Sequence, residues 1–206
     1  MVRAPLFFPR LASHFMAFAW GAIALSIGLE AVVYQNQLKS SLRAAVAPMG
    51  ITLRLVANNL VHRAIACEVF CVLTFIVGLA AFVGVFLNKF NTRKSLQVQT
   101  YLFAFLTVAL FATCIPVSHS VRTRSVEVYA WTADGTPVSD EDLAATIAKL
   151  GVNPQYKHMP DLLYFGIMPW FAFLFDLTST VVSYLAIKKV GPSTYTSSNA
   201  QMAQIA

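Results

Sequence analysis

Asp176 has the most chemistry to offer in this chain, because it is the single acid near the middle of the apolar run 162–187. A charged carboxylate exposed to lipid near the bilayer midplane costs several kcal/mol. The side chain is therefore expected to face the interior of a helix bundle or a partner, and to hold its proton. Its helical neighbours agree. Ala172, Ser179, Thr180 and Ser183 fall at i−4, i+3, i+4 and i+7 and make a small, polar stripe on a helix otherwise rich in Phe and Leu. Thr107, at similar depth in another apolar run, is the expected hydrogen-bond partner. An acid so placed either relays protons or ions, or glues two helices together as a neutral group.

A second candidate lies nearer a membrane surface. Glu30 and Glu68 each fall about one turn inside the same end of their apolar runs, close in level to His62, Arg63 and His119. Such a rim cluster would bind a cation or a lipid headgroup, although charges near span ends also reach water or pair with one another at little cost. His62 and His119 stand at run ends with no second pair at the other side, which argues against haem ligation. Cys67 and Cys71 share a helix face, with Cys114 at similar depth, but thiolate chemistry needs an electropositive, water-accessible setting. They read instead as part of a small-residue stripe with Thr74, Gly78 and Ala81. No phosphate-cradling glycine loop, H-E-x-x-H motif or nucleophile elbow is present, so no catalytic residue, metal or cofactor is assigned.

The composition fixes what must position these residues. Of 206 residues, 57% are hydrophobic and only 12% charged, about half the charge of a soluble domain. Four stretches approach the roughly 20 apolar residues that a helix needs to cross a bilayer. They run from about 11 to 34, 64 to 87, 98 to 117 and 162 to 187. The expected fold is an all-α integral membrane protein. A four-transmembrane-helix bundle fills 1–191, and a polar C-terminal tail follows at 192–206. A bend is expected at Pro169. Ala17, Gly21, Ala24 and Gly28 give the first span a close-packing face. That span is expected to be a retained signal anchor, since no A-x-A-like cleavage site precedes it.

Arg3, Arg10, Lys89, Arg93, Lys94, Lys188 and Lys189 flank the spans on one side with no acid among them, which places both termini in the cytoplasm or a matrix. The net charge of +6 is thus a topology signal, and no nucleic-acid partner is expected. The basic, acid-free stretch Gln35–Arg63 pulls against that orientation, because it suits an anionic cytoplasmic leaflet. Within it, Leu38, Leu42 and Val46, then Leu53, Val56 and Leu60, recur at helical spacing on either side of Pro48-Met49-Gly50. They predict two short amphipathic helices in the interface.

The loop 118–160 reads as a small strand-plus-helix unit. Val126, Val128 and Ala130 alternate with Glu127, Tyr129 and Trp131, and Asp134-Gly135 turns the chain. Ser139 then caps a helix with Asp140, Glu141 and Asp142 in its first turn, a stripe of Leu143, Ile147 and Leu150, and Gly151 as its stop. One strand and one helix cannot bury a core alone, so the unit must pack on the first loop, the membrane or another protein. Tyr129, Trp131, Asp140, Glu141 and Asp142 are its candidate partner-binding residues. The layout is similar to that of tetraspanins, but the Cys-Cys-Gly motif is missing, as are the Trp and paired Cys of claudins, and no family follows. The function expected first is a non-catalytic accessory or scaffold subunit among other integral membrane proteins. A proton- or ion-coupled transporter or channel component centred on Asp176 comes second, and a protein that binds membrane lipids third.

Overall fold

A computed structural model describes residues 6–56, 58–132, 134–139, 141–142, 144–145 and 155–189. Arg3, Asp140, Leu143, Ile147, Leu150, Gly151 and the tail 192–206 lie outside the described residues. Four helices are long and apolar enough to cross a membrane: α1 (Phe7–Val46), α2 (Asn58–Phe86), α3 (Arg93–Thr123) and α4 (Pro160–Lys189). Two short strands, β1 (Thr52–Val56) and β2 (Glu127–Trp131), join the loops at one end of the bundle. The outer helix faces carry large apolar side chains; Phe8 is 67%, Val108 70% and Tyr101 72% exposed. So apolar an exterior suits acyl chains rather than water.

Small residues set the inner contacts. Ala17, Gly21, Ala24 and Gly28 are all buried along α1, as are Cys67, Cys71, Thr74, Gly78 and Ala81 along α2. A Cβ added at Gly21 would sit 2.8 Å from the Phe75 backbone nitrogen, and one at Gly78 would sit 2.7 Å from that of Phe18. The α1 and α2 backbones therefore touch through reciprocal glycines, which lets dispersion contacts accumulate where no hydrophobic effect operates between helices. α3 and α4 are tied by side chains instead. The Trp170 indole donates to Ser118 Oγ at 2.9 Å, and that hydroxyl donates to the Gly166 carbonyl at 2.7 Å. α4 runs without interruption through Pro169, and Ser118 serves a carbonyl one turn before it.

The loop between the first two spans differs from expectation. α1 continues to Val46, so the first amphipathic segment is an extension of the first span rather than a separate interfacial helix. At about 1.5 Å per residue the helix is roughly twice as long as a 30 Å hydrocarbon layer is thick. After a 3-10 turn over Ala47–Met49 and Gly50 at φ 67°, the chain forms β1 where a second amphipathic helix was expected. The reason is a partner in the other loop. β1 pairs antiparallel with β2, Leu53 opposite Ala130 and Arg54 opposite Tyr129. Leu53 and Ala130 then bury against Leu42 and Val46 of the α1 extension, with Val128 and Val138 alongside. Leu60, the third member of the expected stripe, is buried in α2 instead. The two loops thus cover each other's apolar faces.

Candidate functional site

Asp176 is 0% exposed in the interior of the bundle. Its hydrogen-bond donor comes from α2, not α3: Thr74 Oγ1 donates to Oδ2 at 2.7 Å. Thr107 donates to its own Phe103 carbonyl at 2.7 Å and lies 3.5 Å from the Thr180 hydroxyl, which in turn donates to the Asp176 carbonyl at 2.8 Å. Oδ1 of Asp176 and the hydroxyls of Ser179 and Ser183 are buried and find no hydrogen-bond partner among the described residues. At i, i+3 and i+7 they share one face of α4, so the acid heads a polar stripe that runs toward the C-terminal end of that helix.

A second buried polar group lies on α1. Arg10 and His14 are both 0% exposed. Arg10 donates from Nη1 to Asn91 Oδ1 at 2.8 Å and from Nη2 to Gln99 Oε1 at 3.3 Å. Asn91 is itself anchored, donating to the Val85 and Leu87 carbonyls. The His14 ring stacks on Phe103 at 5.1 Å between centroids. Neither His14 nitrogen, nor Arg10 Nε, has a partner among the described residues. Phe103 lies one turn before Thr107 on α3, and Thr107 is level with Thr180 on the antiparallel α4. His14 is therefore level with the turn of α4 that carries Ser179 and Ser183. Arg10 and His14 on α1, and Asp176, Ser179 and Ser183 on α4, are thus two buried polar sets at overlapping levels of the bundle. Sequence reading had Arg10 only as a flanking charge and did not single out His14.

The rim residues are not gathered into one site. Arg63 donates to Ser120 Oγ of α3 rather than to either acid. His62, His119 and Glu30 are exposed, and His119 Nδ1 lies 3.4 Å from Thr123 Oγ1. Glu68 turns toward α1, where its carboxylate fills the space a Cβ at Gly28 would need. Among the described residues, no group of three or more His, Cys, Asp or Glu is placed to hold a metal ion. Cys67, Cys71 and Cys114 are free thiols, all buried.

In the loop unit, Tyr129 is half exposed and stacks on Trp131, with 6.4 Å between centroids. Glu141 and Asp142 are exposed in the turn that Ser139 caps, its Oγ accepting from Asp142 N at 3.2 Å. Tyr156, near the end of this unit, is fully buried and its hydroxyl has no partner among the described residues. Burial first, and the Glu127 charge second, hold its phenol above the ordinary value, with Arg124 opposing. No family model, curated protein or solved structure matches the chain.

Proposed function

We propose that this is a multi-pass membrane protein, both termini on the cytoplasmic or matrix side, that passes protons through its bundle by way of Asp176. One observation carries the reading: a buried acid, two buried hydroxyls and a buried imidazole, at overlapping levels of α4 and α1, each keep a polar atom without a partner among the described residues. An imidazole takes up and releases a proton near neutrality, a carboxyl can do so where burial disfavours its charge, and a hydroxyl both donates and accepts. Buried on α1 and α4 at overlapping levels, they suit a proton handed from group to group. The charge of Arg10, held by Asn91 and Gln99, disfavours metal cations near it.

This reading is preferred to that of an accessory scaffold because the faces a scaffold would offer are in use. The glycines of α1 and α2 pack on each other, and each loop buries the other's apolar side chains. Among the described residues of the loop unit, Tyr129, Trp131, Glu141 and Asp142 remain for a partner.

The test is proton flux in proteoliposomes that hold a pH-sensitive dye and carry a potassium diffusion potential. Wild-type protein is expected to acidify or alkalinise the lumen well above protein-free vesicles. Asp176→Asn, which keeps the shape and a hydrogen-bonding head but cannot shed a proton, should fall to the vesicle background while still assembling. Wild-type flux equal to that of empty vesicles, or an Asp176→Asn variant as active as wild type, would refute the proposal.

A further inference from the structure

A cavity of about 470 Å³ opens between α3 and α4 at the loop end of the bundle. That is within the roughly 300–1,000 Å³ typical of sites that hold a small molecule. It lies toward the N-terminal end of α4 from Asp176, which does not line it. Its walls are apolar, with Ile115 and Ile167 among them, and Ile167 is 43% exposed on the outer surface, so the cavity opens sideways toward lipid. Its charged lining is of one sign. Arg122 and His119 face it from α3, and no acid lines it among the described residues. Arg122 is exposed, and its side chain makes no hydrogen bond or ion pair to any described residue. Trp170 completes the wall, its indole nitrogen already engaged by Ser118.

The level of these groups decides what the cavity meets. The apolar run of α3 ends at Val117 and that of α4 begins at Leu162. The Ser118–Arg122 turn therefore lies where the helices leave the hydrocarbon, at the depth of lipid headgroups, where tryptophan rings also settle. Gly166 makes the room. A Cβ there would stand in ordinary contact with Val121, 3.6 Å away, so a longer side chain would be directed into the space between the helices.

From this geometry we infer that the cavity is a site for an anionic phospholipid, its phosphate on Arg122 and His119 and one acyl chain in the slot beside Ile115 and Ile167. A guanidinium presents two parallel donors that match phosphate oxygens. A zwitterionic lipid brings its own cation to a place that already holds two basic side chains. Each Lys or Arg near a membrane surface favours an anionic head by about fivefold.

The test uses delipidated full-length protein in non-ionic detergent, titrated with phosphatidylglycerol or phosphatidylcholine of the same chains and read by native mass spectrometry. Wild-type protein is expected to hold the first bound phosphatidylglycerol at least about fivefold more tightly than phosphatidylcholine. Arg122→Gln, at an exposed position, should erase that preference and leave phosphatidylcholine binding as it was. Gly166→Leu should weaken the first binding event for both lipids. A free fatty acid of equal chain length serves as a further arm and should bind less tightly than phosphatidylglycerol. Equal affinity of wild type for the two phospholipids, an unchanged preference in Arg122→Gln, or a fatty acid that binds as tightly as phosphatidylglycerol would each overturn the assignment. Asp176→Asn should bind lipid as wild type does, so loss of flux and loss of lipid selectivity remain separable.

Discussion

Thr74→Val keeps the branched shape of the side chain but removes the hydroxyl that meets Asp176 Oδ2 at 2.7 Å, leaving the acid with no donor on either oxygen. What this costs depends on the charge of the acid. Hydrogen bonds between helices inside membranes average about 0.6 kcal/mol and reach about 1.7 kcal/mol. If Asp176 rests with its proton on, Thr74→Val should therefore destabilise the bundle by about 0.6–1.7 kcal/mol. If it rests ionised, the change strands a buried charge and should cost about 3–5 kcal/mol.

Repeating the substitution in an Asp176→Asn background makes the distinction sharper. The amide carbonyl still accepts from Thr74, so for a neutral acid the two backgrounds should respond alike, with a coupling energy below about 0.5 kcal/mol. An ionised acid should give about 2 kcal/mol or more. Reversible unfolding by SDS titration in mixed micelles measures all four proteins. A relay loaded with its proton at rest requires the small penalty and the small coupling. A coupling of about 2 kcal/mol would refute the resting state on which the proposed relay depends. A Thr74→Val protein within about 0.3 kcal/mol of wild type would show that this hydroxyl does not hold the acid at all.

Gly21→Ala should cost about 1–3 kcal/mol in the same micelle assay, since its Cβ meets backbone atoms of Phe75 at 2.8 and 3.0 Å that no rotamer change can move. Adding Gly78→Ala should cost less than the sum, because one separation of α1 from α2 relieves both clashes; strict additivity would contradict the reciprocal contact. For Tyr156, a phenol held above its ordinary value of 10.0 contributes stability that is fully present below that pH and lost as pH climbs through the higher folded value. Unfolding measured from about pH 8 to about pH 11 should show this decline in wild type, and Tyr156→Phe should flatten it while leaving neutral-pH stability unchanged or up to about 1 kcal/mol higher. A Phe variant that keeps the same alkaline decline would assign it to another group.

How far the sequence reveals the site is clearest on α1. The small-residue stripe of Ala17, Gly21, Ala24 and Gly28, continued backward by the same spacing, reaches His14 and then Arg10, and all six are buried. The signal was present, but a basic residue at a span end reads as a topology marker, and that reading hid its position on the inward face. Asp176 was legible because an acid in an apolar run has few places to go. Its partner was not, because depth along a helix can be counted from sequence whereas the neighbour that each face meets cannot. Thr107 has the right depth and Thr74 the right face. The rim residues failed in the same way, sharing a level while Arg63 turned to Ser120. β1 shows a different limit. Leu53, Val56 and Leu60 satisfy helical spacing, yet five residues bracketed by a turn and a new helix gain more by pairing with β2, a partner far along the chain.

The buried polar groups of α1 and α4 are hard to account for as packing alone. Arg10, His14, Asp176, Ser179 and Ser183 are each buried to 5% exposure or less, with at least one polar atom unpartnered among the described residues. Each such atom costs on the order of 1–3 kcal/mol, more where it is charged. Replacing buried polar groups by apolar side chains of similar volume is often neutral or stabilising. Leucine and alanine would thus hold these helices together at least as well, as they do at Ala17, Ala24, Leu162 and Ala172 on the same helices. Glycine contacts between α1 and α2 and the Trp170–Ser118–Gly166 chain between α3 and α4 already fix the bundle elsewhere. The polar groups add nothing to that framework that apolar ones would lack, except the ability to take up a proton and give it back.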